Sequence, residues 1–132
     1  MRKPIIVLLL AVTVFAVFSL VSGAAYLESP LPGGLPFGNA LTAIGLCSAA
    51  GAAVGLSRAG TILRTLSMVS FVAAVVWLPL SIALAGNLAL EFSGDRGAAW
   101  MWITSGTVSA VLLSLAWALC ALFINRVRRA IR

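Results

Sequence analysis

Every charged side chain of this chain lies outside four long apolar stretches. The stretches run from Pro4 to about Leu27, from about Phe37 to Ser57, from about Thr65 to Leu88, and from about Ala98 to Ile124. A helix rises about 1.5 Å per residue and a bilayer's hydrocarbon core is about 30 Å thick, so roughly 20 apolar residues suffice to cross it. Each stretch is long enough. None alternates apolar and polar residues as a barrel strand does, and only helices and closed barrels satisfy their backbone groups in lipid. The expected fold is an all-α membrane protein, a four-transmembrane-helix bundle forming one domain over residues 1–132.

Composition agrees. Hydrophobic residues make up 62% of the chain and charged residues 9%, and the mean hydropathy is +1.14. A soluble domain is about half apolar and about one quarter charged. A net charge of +6 would direct a soluble protein towards nucleic acid. Here the basic residues flank apolar stretches, which is the pattern of a topology signal, so membrane lipid and not nucleic acid is the expected contact.

The charges also orient the chain. Arg2, Lys3, Arg58, Arg64, Arg126, Arg128, Arg129 and Arg132 fall on one side of the membrane, and Glu28, Glu91, Asp95 and Arg96 on the other. Positive charge in short loops stays inside, so both the N and C termini are expected to be cytoplasmic. Tyr26, Phe37, Trp100 and Trp102 stand at the outer ends of spans, where aromatic rings anchor helices at headgroup level. Arg2-Lys3, the apolar run through Phe18 and Ser22-Gly23-Ala24 also resemble a secretory signal with its cleavage site. The apolar run continues through Leu20-Val21, which favours a retained first span.

Small residues concentrate in the second and fourth stretches. Gly51 and Gly55 form a GxxxG pair, with Gly45, Ala49 and Ala53 as a second row; Gly106, Ala110 and Ser114 follow one another four apart. Small residues let helix backbones approach closely, and in lipid such packing drives association. These positions are read as helix-packing or partner interfaces, within the bundle or beyond it. In the third stretch Trp77 and Pro79 are expected near mid-membrane. Pro79 removes a donor to the carbonyl of Val75, which predicts a kink or a buried site there. The arginines Arg58, Arg64, Arg126, Arg128, Arg129 and Arg132 are read as contacts to anionic lipid. The outer segment Glu28–Pro36, rich in Pro and Gly, predicts a compact turn. Cys47 and Cys120 are expected at different depths, which predicts two free thiols.

Absences narrow the function classes. The chain has no histidine, and no Asp, Glu, Lys or Arg inside any apolar stretch. Proton relays and ion-coupled carriers normally keep such a residue in the membrane, so the small four-helix drug–proton antiporters are rejected as a match. No nucleotide-binding loop, metal cluster or nucleophile triad is present. No cofactor and no enzyme activity are expected. The remaining expectation is an accessory or structural subunit of a larger bacterial inner-membrane complex, bound to other integral membrane proteins or to itself. A bacterial source is suggested by the preference for arginine over lysine and by the abundance of alanine. The alternative is a small self-assembling channel or carrier that works without an intramembrane ionisable residue.

Overall fold

A computed structural model describes residues 2–132. It is all-helical, with four helices long and apolar enough to cross a membrane. These are α1 (Arg2–Ser22), α2 (Phe37–Leu56), α3 (Ile62–Ala85) and α4 (Arg96–Ile131), with a short 3-10 turn at Ala25–Glu28.

The helix ends differ from the apolar stretches in ways local chemistry explains. The first helix does not run to Leu27. It stops at Ser22, because Gly23 takes a left-handed φ of 62°, and Tyr26 then turns back so that its hydroxyl donates to Ser19 Oγ at 2.7 Å. The third helix spans 62–85, three residues earlier at each end than the stretch 65–88. Its start is set by Thr61, whose hydroxyl accepts from the backbone N–H of Arg64, and its end by Gly86 in the left-handed region at φ 76°. Arg64 therefore lies inside α3 and not in the loop. The fourth helix begins at Arg96 and continues past Ile124 to Ile131, carrying the basic tail as helix. Arg128 and Arg129 in its last turn face the negative end of the helix dipole, which favours that extension.

The helices are antiparallel, so α1, α2, α3 and α4 alternate in direction. Both termini and the α2–α3 loop share one end, and the α1–α2 and α3–α4 connections share the other. At that other end Phe37 N–H donates to Ser29 O at 3.0 Å and Leu31 N–H to Leu35 O at 2.7 Å, closing the expected compact turn. Gly33 and Gly34 make the reversal with φ of 100° and 95°. The side chain of Asn87 holds the next connection, donating to Glu91 O and accepting from Glu91 N–H, both at 2.9 Å.

α2 is the hub. It packs against α1, α3 and α4, whereas the principal neighbour of α1 is α2. Its buried face is almost all small: Gly45, Ser48, Ala49, Ala50, Ala52 and Ala53. The core is completed by Ala74 and Trp77 of α3 and Val111, Leu115 and Ala118 of α4. Large apolar side chains point the other way, among them Phe15, Phe18, Val69, Val72, Leu113 and Phe123. An apolar girdle on this scale has no place in water and suits a chain embedded in a membrane.

Candidate functional site

Most of the small residues of α2 are taken up inside the molecule, while Gly51 is half-buried and Gly55 remains exposed. A Cβ at Gly45 would stand 2.8 Å from the Cβ of Ala16, so α1 and α2 meet here at backbone distance. Ala49 and Ala53 are 2% and 0% exposed. Gly55 faces Ile6 of α1, and Gly51 lies between Leu9 of α1 and Phe71 of α3. Gly45, Gly51 and Gly55 thus seat α1 on α2, while Ala49 and Ala53 join the core shared with α3 and α4.

The row on α4 behaves differently. Four helical residues turn through about 400°, so an i, i+4 row drifts by about 40° per step around its own helix. Gly106 and Ala110 are accordingly exposed, while Ser114 and Ala118 are buried against α3 and α2. Nothing stands within 4 Å of a Cβ placed on Gly106. Ser105 and Ser109 are exposed beside it, and Trp102 is 80% exposed one turn earlier. This outward face joins small, hydroxyl and aromatic side chains.

Trp77 and Pro79 do not share a site. Pro79 lies on the exposed side of α3, and Trp77 is 2% exposed in the core. Its indole N–H donates to Thr104 Oγ1 of α4 at 2.9 Å. Trp77 stacks towards Trp100 at 6.4 Å, and Trp100 towards Phe92 at 5.0 Å. The Trp100 indole N–H donates to Ser81 Oγ at 2.9 Å, and Ser81 in turn donates to Trp77 O at 2.7 Å. Trp77 is therefore the inner member of an aromatic column descending from the α3–α4 connection, about 12 Å from the end of α3. The sequence shows the aromatic residues but not their order in depth. The signal lay in the Thr104 and Ser81 hydroxyls, set where each indole could reach them.

The arginines divide into two groups. Arg64 Nη1 donates to the carbonyls of Val54 at 2.8 Å and Ser57 at 3.4 Å, so this half-buried guanidinium caps the C-terminus of α2. The others converge. Lys3, Arg58, Arg126, Arg128, Arg129 and Arg132 line a cleft of about 580 Å³ between the start of α1, the α2–α3 loop and the end of α4. Its floor is Leu56 and Leu122. An adjoining cleft of about 510 Å³ shares Leu56, Arg58, Leu122 and Asn125 with it and runs on beneath Trp117 and Ile62. A third, of about 570 Å³, continues from Trp117 along α3 and α4 to Ser70 and Ser114. Cys120 opens into this last groove, and both it and Cys47 are free thiols.

Among the described residues no three His, Cys, Asp or Glu side chains come together as a metal site. No protein-family model, curated protein or solved structure matches this chain.

Proposed function

We propose that this chain is a non-catalytic accessory subunit of a larger complex in a bacterial inner membrane, with both termini cytoplasmic. Its contact with a partner membrane protein is the outward face of α4 around Ser105, Gly106 and Ser109. The observation that carries this reading is the contrast between two small-residue rows. The row on α2 is largely taken up against α1 and α3, with Gly55 exposed but already in contact with Ile6, whereas Gly106 has open space in front of it. Hydroxyls and a glycine on a lipid-facing surface favour close approach of another helix, since van der Waals packing and interhelical hydrogen bonds are what hold helices together in lipid. Positive charge at the end shared by the termini supports the orientation.

The test is purification of the tagged chain from its native membrane in mild detergent, with identification of accompanying proteins by mass. A stoichiometric unlike partner is expected, and Gly106→Leu should lose it while Phe15→Leu on α1 keeps it. A homogeneous homo-oligomer unaffected by Gly106→Leu would overturn the subunit reading and turn attention to flux through a self-assembled channel or carrier.

A further inference from the structure

We propose that the basic cleft and the groove behind it form a binding site for one anionic phospholipid, with the headgroup phosphate among the arginines and an acyl chain along α3 and α4. Three elements distant in sequence build the mouth: Lys3 from α1, Arg58 from the α2–α3 loop, and Arg126, Arg128, Arg129 and Arg132 from α4. The chain's acidic residues, Glu28, Glu91 and Asp95, belong to the connections at the opposite end, so no acidic side chain stands among these cations. Like charges gathered over an apolar floor repel until an anion joins them. Guanidinium groups hold a phosphate through paired N–H donors, and a lysine holds it as a point charge.

The apolar side of the site commits the occupant to a lipid. Leu56 and Leu122 belong both to the basic mouth and to the adjoining cleft, so headgroup and chain positions are continuous. That cleft, of about 510 Å³, falls within the range of about 300–1,000 Å³ of clefts that enclose small-molecule ligands. The groove beyond it, from Trp117 to Ser70, opens sideways between α3 and α4 towards the region where acyl chains lie. A free phosphate would use the mouth and leave the groove idle. Basic pockets between membrane helices near the cytoplasmic leaflet are suited to anionic headgroups on general electrostatic grounds.

The test is native mass spectrometry of the full chain in detergent, offered equal amounts of a phosphatidylglycerol and a phosphatidylcholine with identical chains. One retained phosphatidylglycerol is expected in clear preference to phosphatidylcholine. Arg58→Gln and Arg129→Gln should each lower its retention about fivefold, the ratio equivalent to the about 1 kcal/mol that one basic residue contributes near an anionic surface. Arg96→Gln, of equal charge change at the other end, should leave it unchanged. Equal loss with Arg96→Gln would reduce the effect to net charge and overturn the site. Sensitivity to Arg129→Gln without sensitivity to Arg58→Gln would reduce it to a basic tail. Inorganic phosphate displacing the lipid at millimolar concentration would show that the groove contributes nothing and would overturn the lipid assignment.

Discussion

Ser67 and Ser70 lie one turn apart on the buried face of α3, yet their hydroxyls differ in kind. Ser70 Oγ shares a hydrogen bond with Ser114 Oγ at 3.0 Å and donates to Ala110 O at 3.2 Å, joining α3 to α4. Ser67 Oγ is buried without a hydrogen-bond partner. Leaving a buried hydroxyl unpaired costs about 1–3 kcal/mol. Ser67→Ala is therefore expected to stabilise the chain by about 1 kcal/mol, and Ser70→Ala to destabilise it by roughly 0.6–2 kcal/mol. Reversible unfolding in mixed micelles would measure both, and destabilisation by Ser67→Ala would show that its hydroxyl is bonded. The Trp77–Thr104 bond is tested by a cycle of Trp77→Phe and Thr104→Val. A coupling of about 0.6 kcal/mol is expected from interhelical hydrogen bonds in lipid. Strictly additive effects would mean the indole N–H has another partner.

At the level of the helices, the α1–α2 contact turns on Gly45. The atom facing it is the Cβ of Ala16, fixed to its own backbone, so a methyl group at Gly45 forces the helices apart. Overpacking of this kind costs about 1–3 kcal/mol, more than the gain of about 1 kcal/mol from replacing a helical glycine by alanine. Gly45→Ala should lower the melting temperature, and adding Ala16→Gly should restore it. Gly51→Ala, whose methyl would meet Leu9 at an ordinary 3.4 Å, should be neutral or stabilising. Equal losses from Gly45→Ala and Gly51→Ala would contradict this packing.

The existence of four apolar helices was legible in the sequence because segregation of charge leaves few alternatives. The ends of α2 were legible to within a residue, whereas those of α1 and α3 needed Gly23, Thr61 and Gly86 to be read as boundary signals and not as parts of an apolar run. The facing of α2 was not legible. It is small on nearly every side, and periodicity says nothing when all faces look alike. Arg64 was counted by its charge, although its role here depends on its reach to the carbonyls of Val54 and Ser57. That Lys3, Arg58 and the tail share one side was legible from the charge pattern, but not that they line a single cleft, which depends on how the helices pack.

For the molecule as a whole, the partner face and the headgroup end of the lipid site lie apart, although the acyl groove reaches Ala110, next to Ser109. The outward face of α4 near Gly106 belongs to its first half, and the basic cleft to its last turns and to the opposite ends of its neighbours. Partner recovery and lipid retention should therefore vary separately: Gly106→Leu is expected to spare the lipid, and Arg129→Gln to spare the partner. The length of α4 fits this division. Its 36 residues extend about 54 Å, well beyond a hydrocarbon core of about 30 Å, so its last turns carry the basic residues past the core to the mouth of the cleft.

The central place of α2 also orders the molecule's construction in time. It is made after α1 and before α3 and α4, and each main packing contact joins helices that are neighbours or next-but-one in the chain. α1 waits only for α2, α3 finds α2 already in place, and α4 settles on two helices that have gone before it. A bundle wired in this way can be laid down in the order in which it is read, with only the faces of α2 and α3 that meet α4 left open until the last helix arrives.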